Sequence, residues 1–312
     1  MSETRSIGTR RTVLAVPGSS DRFIAKARGL GVDALFLDLE DAVAPAAKAE
    51  ARGRIVAALN GGEFAAPVVT VRVNGWESPW TYADLVEVVT GAGARVDAIV
   101  LPKTADAAQV KALDLLLTQV EQTAGLPVGR IGVEAQIEDA VGLLHVAEIA
   151  AASPRLVSLV YGPGDFMASM GMGGLSVGAQ PDGYPADAFH HVLVSILVAA
   201  RAHGLSAIDG PYVAIRDVPG FEASARASAA LGYDGKWVLH PDQIEAGNRI
   251  FTPKRADYDR ARRIIAAYRA ACEAAGGGVG AIVVDDEMVD EAGVKLSAAI
   301  VARGEAAGME RS

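Results

Sequence analysis

The sequence predicts an α/β fold, a TIM (β/α)8 barrel with a C-terminal helical appendage. Short apolar runs alternate with longer Ala-rich helical stretches along almost the whole of the 312 residues. Parallel strands need such crossovers and are buried on both faces. Eight such runs can be counted, and eight βα pairs closing on themselves make a barrel of ~250 residues. No GxGxxG follows the first run, which argues against the competing doubly wound sheet.

The first strand reads Thr12–Val16, and its Pro-Gly-Ser-Ser turn leads into a helix over Asp21–Leu30. Ala34–Leu37 follows, then a helix over Ala47–Leu59 and the strand Val68–Val73. Ala98–Leu101 precedes a helical pattern over Ala105–Thr123, and Ile131–Ile137 precedes one over Ala140–Ala152. Leu156–Tyr161, a helix over Ala186–His203, Leu205–Ile208 and a helix over Val218–Leu231 lead to the last strand, Trp237–Leu239. A long helix over about Asp257–Ala275 is broken by Gly276–Gly277–Gly278, because three glycines favour no helix. The domain reading is therefore residues 1–275 as the barrel and residues 276–312 as a glycine-hinged lid, a partner-contacting arm, or both.

Composition excludes several classes of function. With 51% hydrophobic and 21% charged residues the chain has ample material for a core, unlike a disordered chain. A net charge of −9 argues against nucleic acid or an anionic membrane as the main partner, so an anionic ligand needs a local basic patch. The single Cys272 permits no intrachain disulfide. The polar start MSETRSIGTRRT has no apolar leader core, and the longest strongly apolar run, Val192–Ala200, is far short of a membrane span. A cytoplasmic protein is expected.

In a barrel of this kind the site is built from the residues at the C-terminal end of each strand. Here every strand delivers charged or turn-forming groups to one rim, among them Ser19, Asp38, Glu40, Asp41, Arg72, Lys103, Glu138, Asp165 and Asp209. Arg72 alternates with Val71 and Val73, so it points opposite to both, and a charge on a buried strand must be paired or used. Its plainest role is an ion pair with Glu40 or Asp41. Glu138 taken alone reads as an N-cap or first-turn acid of the next helix. Glu134 shares its strand face at even spacing and is expected to pack deeper. Crowded acids such as Asp38, Glu40 and Asp41 push their pKa values apart, which suits acid–base work. The same cluster equally suits holding Arg72, Lys103 or a water in place. Arg22 and Lys26, spaced i, i+4, share one helix face.

The segments VPGSSDRFIAKA, FLDLEDAVAPAAKAEAR, VRVNGWESPW, LPKT, QIEDAVGLL, YGPGDF, AIDGPY and GYDGKWVLHPDQI fall in order in successive βα loops. Together they resemble the citrate lyase β-subunit-like family, within the HpcH/HpaI aldolase/citrate lyase superfamily, and more narrowly its malyl-CoA and citramalyl-CoA lyases. The resemblance implies Mg²⁺, with Mn²⁺ as a substitute, and cleavage or formation of a C–C bond beside a coenzyme A thioester. It implies acyl-CoA and 2-oxo acid substrates and a homotrimer or homohexamer. It casts Glu138 and Asp165 as the metal carboxylates and Arg72 as the group that meets the enolate oxygen. Glu40 and Asp41 join the catalytic cluster, and Ser19, Arg22 and Lys26 lie in the region that meets the CoA phosphates. Met288–Val289–Asp290 matches a Met–apolar–Asp pattern whose aspartate enters a neighbouring subunit's site as general acid/base. Asp139 stands where many relatives carry Thr, and the appendage reads VDDEMVDEAG where relatives often have a basic residue and a proline nearby. A thioesterase on the same substrates, a citryl-CoA lyase, a pyruvate-type metal aldolase and a non-catalytic binding subunit are the alternatives.

Overall fold

The structure, a computed structural model, describes residues 7–310; residues 1–6, the first half of the polar start that lacks an apolar leader core, and residues 311–312 lie outside them. Eight parallel strands close into a barrel in chain order. They are β1 (Thr12–Pro17), β2 (Ala34–Asp38), β3 (Val68–Arg72), β4 (Ala98–Leu101), β5 (Gly132–Ile137), β6 (Leu156–Tyr161), β7 (Ser206–Asp209) and β8 (Gly235–Val238). The seam pairs β1 with β8, Thr12 opposite Lys236, and a side chain on Gly235 would collide with the Arg10 carbonyl.

Strand alternation sorts the core into two layers. Inside the barrel Val13, Phe36, Val68, Val100, Val160, Ile208 and Trp237 pack together. The opposite faces, such as Leu35, Leu37, Val71, Ile99 and Ala135, pack in the larger core that also takes in buried residues of the surrounding helices. Glu134 does lie deep in the barrel, where it pairs with buried Arg10 at 2.6 Å.

The helices of the barrel unit are α1 (Asp21–Ala27), α2 (Lys48–Asn60), α3 (Thr81–Ala92), α4 (Ala107–Thr123), α5 (Ala140–Leu144), α6 (Val146–Ala150), α7 (Pro163–Ser169), α8 (His190–Ala202), α9 (Val218–Leu231) and α10 (Ile244–Phe251). The helix expected over Ala140–Ala152 is broken at His145, whose Nδ1 lies 3.0 Å from the Ala105 carbonyl. The α8 helix starts at His190, four residues later than the apolar periodicity predicts. Among the described residues no helix is long and apolar enough to cross a membrane.

One compact unit runs to Phe251 and a second begins at Thr252. The second holds α11 (Arg255–Ala274), the antiparallel hairpin of β9 (Ala281–Val284) and β10 (Glu287–Asp290), and α12 (Glu291–Ala306). A side chain on Gly304 of α12 would strike the ring of Tyr258 on α11, so glycine lets the two helices approach. The hairpin turns at Asp285 and Asp286, both left-handed (φ 50° and 63°), and Asp285 is paired with Arg263 at 3.2 Å.

Candidate active site

The rim at the C-terminal ends of β2 to β6 gathers seven charged side chains: Asp38, Glu40, Asp41, Arg72, Lys103, Glu138 and Asp165. Register starts the assembly: Asp38 is the β2 partner of Arg72 on β3, and both point into the barrel. Arg72 donates from Nε to Asp38 Oδ1 at 2.7 Å and from Nη2 to Oδ2 at 2.8 Å, a two-pronged pair. Its Nη1 lies 3.1 Å from Glu40 Oε2 and 3.9 Å from Asp41. Beneath it the rings of Phe36 and Trp237 stand 5.4 and 5.5 Å from the guanidinium carbon, a π floor for a cation. Asp38 also accepts the backbone N–H groups of Glu40 and Ala42. The plain ion-pair expectation named Glu40 or Asp41; the strongest partner is Asp38, because register places it there.

Glu138 follows β5 and is buried, at 3% exposure. The helix cap that its position suggested belongs to Asp139, whose Oδ1 accepts the Gly142 N–H at 2.6 Å. That leaves Glu138 for the rim. Its Oε1 accepts the Lys103 backbone N–H and its Oε2 the Gln136 side-chain amide, each at 2.5 Å. Gly162 gives it room, since a Cβ there would collide with the Glu138 carboxylate. Burial pushes the Glu138 carboxyl up to about 8 against the pull of Arg72, and neighbouring Asp165 and Glu40 push the same way. Asp165, half-buried in the first turn of α7, has Lys103 Nζ at 3.9 Å.

Glu40 and Asp41 carry opposite shifts. Burial raises Glu40 above the usual carboxylate range. For the more exposed Asp41 burial acts in the same sense but is outweighed by the Glu40 hydrogen bond and by Arg72 and Lys103, so it lies below that range. Lys103 forms a short ion pair with Glu40 Oε1 and lies 3.7 Å from Asp41. Sequence reasoning placed Lys103 on the rim but not among the site residues. Buried Lys48 was missed outright: its ammonium donates to the carbonyls of Leu39 and Glu40, fixing the loop that carries the acids.

Two pockets flank this cluster. One of about 570 Å³ is lined by Glu40, Asp41, Asn74, Trp76, Trp80 and Lys103. The other, of about 260 Å³, lies between β1, α1 and the loop after β8, lined by Phe23, Lys26, Ala42, His240 and Pro241. Exposed Arg22 and Lys26 lie on α1 and partly buried Ser19 just ahead of it; Ser20, not Ser19, caps that helix through the Phe23 N–H. His240 orders the loop after β8, its Nδ1 accepting the Asp242 N–H. Asp290 stands in the second unit, exposed, and caps α12 by accepting the Gly293 N–H at 2.9 Å.

Among the described residues no three His, Cys, Asp or Glu side chains converge on one point. Mg²⁺ does not require three, because it keeps water and substrate oxygens beside one or two carboxylates. Glu138 and Asp165 are hard oxygen donors, and Asp165 adds to the proton affinity of Glu138, so together they fit that ion.

A closed barrel with buried Arg, Lys and carboxylates on its C-terminal rim is the plan of a TIM-barrel enzyme. Residues 11–241 match the HpcH/HpaI aldolase/citrate lyase family, and the chain belongs to that family. It is 40% identical over 304 residues, 95% of this chain and 94% of the other, to the L-malyl-CoA/β-methylmalyl-CoA lyase of Cereibacter sphaeroides. The (3S)-malyl-CoA thioesterase of the same species is 38% identical over 296 residues, 95% of each chain. Among solved structures, the CitE protein of Mycobacterium tuberculosis in complex with magnesium, acetoacetate and coenzyme A is similar, with TM-score 0.73 and 30% identity over 96% of this chain and 99% of that one.

Proposed function

We propose that the chain is a Mg²⁺-dependent acyl-CoA carbon–carbon lyase, with Mn²⁺ as a substitute ion. It cleaves and forms malyl-CoA, methylmalyl-CoA or citramalyl-CoA, the products being an acyl-CoA and a 2-oxo acid such as glyoxylate or pyruvate. The observation that carries this reading is Arg72. Its permanently charged guanidinium is fixed by two bonds to Asp38 on a rim that also presents Glu138. A planar cation of this kind suits an oxyanion that exists only during reaction. The 40% identity to a malyl-CoA lyase over nearly the whole chain supports it.

Glu138 and Asp165 would hold the metal ion, which when bound supplies Lewis-acid polarisation of the 2-oxo acid oxygen. In the forming direction Asp290, from a neighbouring copy, takes a proton from the carbon beside the thioester. The electron pair moves onto the thioester oxygen, where Arg72 meets the negative charge. The enolate pair then forms the new bond from that carbon to the 2-oxo carbon as the thioester carbonyl re-forms. The 2-oxo π pair moves onto its oxygen, and that alkoxide takes up a proton to give the hydroxyl group. Glu40 and Asp41 hold Arg72 and Lys103, while Ser19, Arg22 and Lys26 meet the CoA phosphates beside the smaller pocket. Residues 276–312 act as the segment that reaches the neighbouring subunit of a cytoplasmic homotrimer or homohexamer.

Thioester hydrolysis is the second reading, favoured by the thioesterase relative at 38% identity. A panel of 3-hydroxyacyl-CoAs with Mg²⁺ separates the two when 2-oxo acid and free thiol are followed independently. A lyase releases the oxo acid without free thiol. Thiol release without oxo acid would overturn the lyase reading.

A further inference from the structure

Lys103 touches both acidic halves of the rim through two different parts of itself. Its backbone is left-handed (φ 50°) and aims its N–H at Glu138 Oε1. Non-glycine residues adopt that conformation at a cost, and such positions cluster at functional sites. Its ammonium, with the side chain 40% exposed, pairs with Glu40 and lies within 4 Å of Asp41 and Asp165. Glu40 is buried and divides its carboxylate, Oε1 to Lys103 and Oε2 to Arg72 Nη1. If the ammonium were removed, the buried carboxylate would keep one cationic partner of the two. Its freed oxygen would turn to Arg72, because an unpaired buried charge is costly.

We propose that Lys103 is a positioning residue for the lyase reaction. Its ammonium holds Glu40 Oε1, so that only Oε2 faces Arg72 and guanidinium N–H groups stay free for the enolate oxygen, while its backbone N–H orients Glu138. The enolate part of this rests on the acyl-CoA lyase reading; the division of Glu40 between two cations does not.

Lys103→Met keeps the backbone N–H and the chain length and removes only the charge. Two quantities are read: the Mn²⁺ affinity of the unliganded protein, by electron paramagnetic resonance, and steady-state kinetics on malyl-CoA. Mn²⁺ should bind as tightly as in wild type or up to ~10-fold more tightly, because a positive charge near Asp165 is gone. kcat should fall by about 10²-fold with KM within ~3-fold, the pattern of a loss confined to the transition state. Lys103→Arg, which keeps the charge, should recover most of kcat, and thermal melts of both variants report folding. A parallel loss of Mn²⁺ affinity and kcat would overturn the proposal, since Lys103 would then merely brace the metal carboxylates. Unchanged kcat would overturn it too. A wild type that cleaves no 3-hydroxyacyl-CoA would sink the lyase reading alone, and the Mn²⁺ measurement would still decide the bracing role.

Discussion

Arg72→Lys is the substitution that separates charge from shape. The guanidinium makes two hydrogen bonds to Asp38, an ion pair with Glu40 at 3.1 Å, and lies over two aromatic rings. An ammonium on a shorter stem is a point donor and cannot reproduce the two-pronged pair. At least one lone pair of buried Asp38 loses its charged partner, which costs about 1.5–3 kcal/mol of stability. For a unit of this size that lowers Tm by roughly 3–12 °C, at about 2–4 °C per kcal/mol. Catalysis loses more. An N–H aimed at the enolate oxygen acts only in the transition state, so its loss should lower kcat by ~10²–10³ and leave KM within a few fold. Differential scanning fluorimetry and initial rates on malyl-CoA, each with saturating Mg²⁺, give both numbers. A folded Arg72→Lys enzyme with kcat within 3-fold of wild type would refute the oxyanion argument and leave Arg72 as a structural cation.

Other expectations are checked more quickly. Glu138→Gln and Asp165→Asn should each abolish turnover and weaken Mg²⁺ binding in calorimetry, and EDTA should reversibly silence wild type; full activity in chelator would contradict the metal assignment. Asp290→Ala should remain folded, losing a helix cap worth ~1 kcal/mol, yet be nearly inactive. Mixing it with Asp165→Ala chains under subunit exchange should restore part of the activity, and dead mixtures beside an active Asp290→Ala would count against a role across subunits. Burial opposes the charge of Glu121, but Arg155 and the N–H groups of Ile131 and Gly129 hold its carboxyl below the usual range. Its stabilisation is therefore present above the unfolded carboxyl pKa of ~4.3 and lost as pH falls through the lower folded value. Glu121→Gln should cost about 3 kcal/mol in urea unfolding at pH 7 and less at pH 3; an equal gap at both would disprove the ion-pair account. Asp286→Gly, at a left-handed position of a two-residue turn, should stabilise the protein by up to ~1 kcal/mol in the same assay.

The barrel was legible because its evidence is periodic. Val71–Arg72–Val73 alone set Arg72 on the strand face opposite both valines, and eight apolar runs gave the count of barrel strands. The partners of Arg72 were less legible. Which β2 acid meets it depends on the register between two parallel strands, and no residue pattern within either strand specifies that offset. Glu138 looked like a helix cap because two adjacent acids compete for one role, and only the backbone geometry gives the cap to Asp139. The GPGDF segment announced a turn. That Gly162 makes space for the Glu138 carboxylate is a contact between two loops, and local sequence does not encode it. Lys103 was visible as a charge after an apolar strand, whereas its left-handed backbone has no sequence signal at a lysine.

The seam between β1 and β8 bears on how the site comes into being during synthesis. Thr12 must wait for Lys236, 224 residues later, before its strand gains its second neighbour. Closing so long a loop is entropically slow, and until then both strand edges lie open to wrong partners. The Arg72–Asp38 pair belongs to strands adjacent in the chain and can form well before the ribosome reaches β8. The pocket between α1 and His240 cannot, because its walls come from opposite ends of the barrel. A nascent chain stalled before residue 235 would thus carry the arginine half of the site without the pocket proposed to meet the CoA phosphates. Binding of a CoA ester would report barrel closure itself, and such an ester present during refolding should favour the closed form over the open-edged one.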